Sequence, residues 1–280
     1  MPRPSLCVSL CAFIGLAGLA QAVTQPQDPK PAEIKQPDPK PDAKVAPVIK
    51  RAESGKSLVV PDDQSKLGTP YHTLSTGAKQ ITFVSAAHNA KSEGHSAGVI
   101  GYAVAGPTDT PAALKAGAWL MPVKSLETGN KTKDKNLTKA EWLDATRFPD
   151  LSFVLKEVKD SKIHKETPEG KSFACTLVGT MTMHGVSREI TIPDTIIAFL
   201  TASTKTAAVA KGDLMSIRCK YIVKLTDYGI TNEYVTTSLS VADEIQIDQS
   251  LTLSTVPPEK QDPRPEAKSD AKPEAKPEAK

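Results

Sequence analysis

The chain has 280 residues, with 35 Lys and Arg against 32 Asp and Glu, and a formal net charge of +3 at pH 7. So small an imbalance excludes the strong basic field of a nucleic-acid-binding protein. After residue 22 no stretch approaches the ~20 apolar residues a membrane-spanning helix needs, so no transmembrane segment is expected.

The first 22 residues carry Arg3, an apolar run from Leu6 to Ala20, and the small-x-small site Ala20-Gln21-Ala22. This pattern predicts a secretory signal peptide over residues 1–22 and an exported, periplasmic or secreted protein. Cys7 and Cys11 follow Leu6 and Leu10 rather than small residues, which argues against a lipid anchor. Residues 23–65 are rich in Pro and Lys, and residues 256–280 repeat Pro-Glu-Ala-Lys. Such segments bury too little apolar surface to offset ordering entropy, so both are expected to be disordered spacers, open to contact with the cell envelope. Residues 66–255 remain as one domain with one core.

Within that domain the dominant period is two, the signature of half-buried strands. Ile81 and Phe83 alternate after a turn at Gly77, and Ile100, Tyr102 and Val104 alternate until Gly106-Pro107 stops the run. Trp119, Met121 and Val123 make a third strand, and Leu151, Phe153 and Leu155 a fourth. Between these two, Thr138 precedes Glu141 as in a capping box, and Trp142, Leu143 and Phe148 give an apolar side, predicting one short helix ended by Pro149. Next come Phe173, Cys175, Leu177, Met181 and Met183 on one face, a four-residue loop from His184 to Ser187, and then Ile190 and Ile192. Met215, Ile217, Cys219, Tyr221, Val223 and Leu225 form the longest alternation, and Ile245, Ile247, Leu251 and Leu253 close the domain. About eight antiparallel strands with turns between them predict an all-β barrel or sandwich.

Catalytic and metal signals fail their context tests. Gly94-His95-Ser96-Ala97-Gly98 fits the pattern of a nucleophile elbow, but that elbow needs a strand before the serine and a helix after it. Here a polar stretch precedes it and an alternating strand follows, so a glycine-rich hairpin loop is expected. The five histidines are scattered without ligand spacing, and His184 falls in a turn where solvent is its expected partner. Cys175 and Cys219 each sit within an apolar alternation and are expected to stay unpaired. No enzyme activity, metal or cofactor follows from these residues.

What remains is a cavity. A closed barrel of about eight strands has an interior either filled by its own side chains or open to one slender ligand. The expected lining is Phe83, Tyr102, Trp119, Met121, Phe153, Leu177, Met181, Met183, Met215, Ile217, Tyr221 and Val223. Flexible, polarizable Met suits a wall that fits an adaptable apolar guest.

Four stretches, SLETGNKTKDKNLTKAEWLDATRFPDLSF, GTMTMHGVSREITI, LTDYGI and VADEIQI, resemble in order and spacing the YceI-like family. The resemblance spans residues 70 to 254 and implies an exported, extended, lipocalin-like antiparallel barrel associated with polyisoprenoid binding. The chain departs from the family pattern at polar points. Asn136 stands in Asp134-Lys135-Asn136-Leu137 where a His is frequent, Leu225 stands where an Arg precedes the Asp-aromatic-Gly stretch, and His88 is one residue out of step. The resemblance implies a bound isoprenoid or quinone-like lipid as ligand, and leaves homodimerisation open. A rival expectation is a structural or interaction protein of the envelope, with a filled barrel and functional tails.

Overall fold

The computed structural model describes residues 49–75, 79–88, 90–106, 114–237 and 240–261. The signal peptide, the linker up to residue 48, the turn at Gly77, the stop at Pro107 and the tail beyond residue 261 lie outside them.

Ten strands form one antiparallel sheet: β1 Thr69–Thr73, β2 Ile81–Ala86, β3 Lys91–Ser96, β4 Ile100–Ala105, β5 Leu114–Pro122, β6 Asp150–Thr167, β7 Gly170–Met183, β8 Val186–Leu200, β9 Leu214–Lys224 and β10 Glu244–Ser254. The order β1-β4-β5-β6-β7-β8-β9-β10 closes on itself because β10 also pairs with β1, giving a ring of eight. Closure leaves the ring without an open edge. The hairpin β2–β3 continues β1 along β10, with Ile247 opposite Phe83, and its far strand bridges from His95 to Glu127 beyond β5. At the corner between β1 and β2 the buried Gln80 amide donates to the carbonyls of Leu74 and Val99 and accepts from the Val99 N–H.

Seven of the eight predicted alternations fall in strands of the ring, and the eighth, at Ile81, lies in β2, which pairs with the Ile245 run of β10. Strands β1 and β3 carry too few apolar residues to stand out by period. Gly94-His95-Ser96 therefore lies in a paired strand, Gly94 opposite Phe83, and not in a loop.

The helical expectation is corrected by eight residues, the cap moving from Thr138 to Asn130. The helix between β5 and β6 is α2, Lys131–Leu137, capped by Asn130, whose side chain accepts from the Thr132 and Lys133 N–H groups. Thr138 ends it, its hydroxyl donating back to the Lys135 carbonyl. Asp144 then takes φ 46° and turns the chain, so the Thr138–Glu141 pair caps nothing. Three further single-turn helices, α1 Asp62–Ser65, α3 Thr204–Ala207 and α4 Glu233–Thr236, were not legible in the apolar pattern.

Residues 49–65, expected within the disordered linker, pack on the outer face of β4 and β5. Leu58 is 1% exposed and forms a cluster with Tyr102, Val104, Ala116, Ala118 and Leu120. The start of the C-terminal segment joins them: the Ser57 hydroxyl donates to Glu259 at 2.7 Å, and Ser54 donates to the same carboxylate oxygen.

Strands β7 and β8 are joined by a two-residue turn at His184 (φ 52°) and Gly185 (φ 74°), shorter than the four-residue loop expected. Two left-handed residues match the twist of a tight hairpin. This turn marks the upper end of the barrel, and the β6–β7 turn marks the lower. The ladder between β8 and β9 runs only over Ile196–Leu200 and Leu214–Arg218. Above it the β9–β10 connection packs between the strands, held by the Arg188 Nε–H donating to the Asp227 carbonyl at 3.0 Å.

Candidate ligand-binding lumen

The inner faces of β5 to β10 build one apolar cluster, and eleven of the twelve expected lining residues belong to or pack against it. Tyr102 does not. On β4 the bulky positions Ile100, Tyr102 and Val104 face outward, beneath residues 49–65, and the Tyr102 hydroxyl donates to Gln64 at 2.8 Å. The inner face of β4 carries Ala103 and Ala105 instead. Both faces of this strand are buried, so alternation alone cannot say which side is the interior.

The lower half of the lumen is filled. Phe199 packs edge-on against Tyr71 and Phe173, with centroids 6.1 and 6.0 Å apart, the preferred geometry for aromatic pairs. Met215 and Ile217 are 0% and 1% exposed beside Leu251 and Leu253. Cys175 and Cys219 are free thiols here, and burial pushes them up to about 11 and about 12. They remain protonated and act as small apolar side chains.

The upper half is built differently. Phe83, Met121, Phe153 and Met181 face the interior but stay only half-buried, as do Leu151, Ile245 and Ile247. Four glycines lie beneath the aromatic rings of this half. A Cβ on Gly101 would come within 2.2 Å of the Trp119 ring, and one on Gly117 within 2.5 Å of its far edge. A Cβ on Gly94 would meet Phe83 at 2.2 Å, and one on Gly179 would meet Phe153 at 2.4 Å. Each ring therefore lies flat on a bare stretch of strand and lines the wall without projecting across it. Trp119 and Phe153 pair directly across β5 and β6, centroids 6.0 Å apart, so the wall is continuous. A glycine within a strand signals close approach of another group, the one sequence cue that could have marked these sites.

The upper end is covered by two connections that touch. Trp142, after α2, stacks on Tyr234 of α4 with centroids 6.2 Å apart, and the Asn232 amide donates to the Glu141 carbonyl. Beneath them Tyr228 is 0% exposed within the core cluster. His184 is not solvated as expected. Its Nδ1 lies 3.2 Å from the Tyr228 carbonyl, its Nε2 is buried, and its ring stands edge-on to Phe148 at 5.8 Å.

Two cavities lie away from this lumen. One of about 330 Å³ opens at the lower end between Tyr71, Phe199 and the β6–β7 turn. One of about 370 Å³ lies under residues 49–64 on the outer face, against Tyr102, Ala118 and Val154. Ser96 is 0% exposed, its Oγ accepting from the Gly98 N–H and paired with Ser125 Oγ at 2.7 Å. His95 pairs with Glu127 and, among the described residues, the partners of the Ser96 hydroxyl are Ser125 and the Gly98 N–H. Among the described residues no group of three or more His, Cys, Asp or Glu is placed to hold a metal, and no helix is long and apolar enough to cross a membrane.

Fold and inner face together define an extended, lipocalin-like antiparallel barrel with a ring of eight strands and an apolar upper inner face that includes half-buried side chains. The YceI-like domain model matches residues 72–253. The chain belongs to the YceI-like domain family. Burkholderia cenocepacia BcnA is 20% identical over 64% of this chain and 98% of its own, with a TM-score of 0.47. A polyisoprenoid binding domain from Saccharophagus degradans, implicated in plant cell wall breakdown, is 15% identical over 65% of this chain and 97% of its own, with a TM-score of 0.46. The Campylobacter jejuni YCEI protein is 20% identical over 51% of this chain and 75% of its own, with a TM-score of 0.33. No curated protein matches the chain.

Proposed function

We propose that this protein is an exported, non-enzymatic carrier that holds a long apolar isoprenoid or related lipid in the upper half of its barrel. The observation that carries the reading is the set of four glycines that seat Phe83, Trp119 and Phe153 flat against the wall. A protein that only needed a packed core would gain by filling that space, because close packing is what stabilises interiors. A guest that covers the half-buried rings and methionines gains about 25 cal/mol per Å² of apolar area before the costs of association. The filled lower half confines such a guest to the upper chamber, so the expected lining narrows to Phe83, Trp119, Met121, Phe153, Leu177, Met181, Met183, Tyr221 and Val223. Met215 and Ile217 belong to the packed base.

The test is mass spectrometry of the barrel purified from its own envelope, before and after extraction with organic solvent, alongside Met181→Glu. The expected result is a stoichiometric isoprenoid-type mass released from the wild type and absent from the variant. A folded Met181→Glu protein with undiminished lipid content would falsify the assignment of the lumen. The packed base favours a second reading, a filled structural barrel acting through its terminal segments. That reading expects an empty wild-type barrel and loss of function on removal of both tails, residues 23–48 and 262–280.

A further inference from the structure

The outer face of the barrel holds a slot that has no part in the lumen. Three residues form a row across adjacent strands: Tyr102 on β4 stands opposite Ala118 on β5, and Ala118 stands opposite Val154 on β6. The row places the smallest side chain between two larger ones, so the sheet surface dips at Ala118. Residues 49–64 pass over this dip as a strap, and Ile49, Val60 and Pro61 roof it, leaving a cavity of about 370 Å³. That volume lies within the range of about 300–1,000 Å³ typical of small-molecule sites. The same strap packs closely beside the slot, where Leu58 is buried against Tyr102 and Ala118, so the space left over the dip is a local feature and not general looseness.

The slot is preformed, because its roof is anchored at several points. The strap begins as a small hairpin, with the Val59 N–H donating to the Lys50 carbonyl at 2.9 Å. Arg51 pairs with Asp150 at the start of β6, and the Ser57 hydroxyl donates to Glu259. Pro61 then leads into α1, where the Gln64 side-chain oxygen accepts from the Tyr102 hydroxyl at 2.8 Å. With its proton committed to Gln64, the Tyr102 oxygen can accept a hydrogen bond from within the slot, and the Gln64 amide nitrogen can donate one. At the rim Lys50 and Asp62 are exposed and carry opposite charges, so the mouth has no net charge.

We infer that this slot is a second binding site, outside the lumen, for a small, flat, neutral aromatic molecule that carries a hydroxyl. The flat shape follows from a space bounded by a sheet on one side and a strap on the other. Apolar walls at Ile49, Val60, Ala118 and Val154 take the ring. The cancelling charges at the rim favour a guest without charge, because neither sign finds an uncompensated partner there. A phenolic hydroxyl can donate to the Tyr102 oxygen and accept from the Gln64 amide, and the apolar surroundings make each bond worth more than it would be in water. The site is independent of the proposed lipid-carrier function and stands whether or not the lumen is occupied.

The test uses the intact chain with 1-naphthol and naphthalene as probes, read by methyl NMR, which reports where each binds as well as how tightly. The expected result is a saturable shift of the Val60, Ala118 and Val154 methyls by 1-naphthol. Ala118→Leu, which fills the dip from the sheet side, should weaken this binding by about tenfold or more. Should Ala118→Leu not fold, Val60→Phe fills the slot from the strap and is expected to cause the same loss. Tyr102→Phe should lower the affinity for 1-naphthol by about fivefold, the effect of a single net hydrogen bond, while leaving that for naphthalene unchanged. Saturable shifts confined to the Met181 and Met183 methyls of the lumen, no saturable shift at all, or wild-type affinity in a folded slot-filled variant overturns the inference. A ratio of the two affinities unchanged in Tyr102→Phe overturns the hydroxyl requirement.

Discussion

Gly117→Ala tests whether the bare strand beneath Trp119 keeps the upper chamber open. The added Cβ would stand 2.5 Å from Trp119 Cη2 and 2.8 Å from Cζ3, and 3.3 Å from the Tyr102 carbonyl oxygen. Carbon atoms pack at roughly 3.5–4.0 Å, so the far edge of the indole must move by about 1 Å, and a shift off the strand carries it toward the lumen. Two effects oppose each other. Alanine reduces the freedom of the unfolded chain and stabilises by about 0.4–1 kcal/mol. Overpacking a fitted site costs about 1–3 kcal/mol, and this steric cost outweighs the entropic gain, leaving a net loss of about 1–2 kcal/mol. An indole that intrudes by the volume of one or two methylenes removes about 0.8 kcal/mol of guest burial for each. The expected loss of apolar-ligand affinity is about fourfold to fifteenfold. Urea unfolding followed by tryptophan emission reads the stability, and displacement of N-phenylnaphthylamine reads the affinity. Wild-type stability together with wild-type dye affinity would mean that the ring moves freely elsewhere and that Gly117 does not seat it.

Two further outcomes follow from the remaining packing. Leu58 is 1% exposed beneath the outer cluster, so Leu58→Ala should cost about 2–3 kcal/mol by urea unfolding, toward the lower end of buried leucine truncations because a peripheral segment can collapse; a cost under about 0.5 kcal/mol would return residues 49–65 to the status of a spacer. The thiols of Cys175 and Cys219, raised by burial to about 11 and about 12, should resist iodoacetamide at pH 8 in the native protein and react in urea. Because the folded state holds these protons more tightly than the unfolded one, their contribution to stability is complete below about pH 8.5 and declines as pH rises through the folded values. Rapid native alkylation, or a midpoint constant to pH 11, would contradict this.

The class of fold was legible in the amino acids alone, because a period of two repeated over eight segments admits only a half-buried antiparallel architecture. Most of the inward face was legible too, since the odd-numbered positions from Phe173 to Met183 and from Met215 to Val223 can share a face only in one register. The YceI-like stretches stood out for the same reason: they are the turns and strand ends whose residue types the barrel dictates. Which face of β4 is the interior emerges only on folding, because residues 49–65 bury the other face equally well and Tyr102 reads as core from either side. The helix moved from the Thr138–Glu141 signal to Lys131–Leu137 because Asn130 caps it through its neighbours Thr132 and Lys133, a polar signal in a stretch without the apolar side that pointed to Trp142, Leu143 and Phe148. His184 reads as a solvated turn residue until Tyr228 and Phe148, 44 and 36 residues distant in the chain, close around it. The seating of the upper aromatic rings over glycines likewise exists only in three dimensions. A glycine in a strand is a local statement about space, and which ring comes to occupy that space depends on pairings between strands that the chain makes only once it has closed.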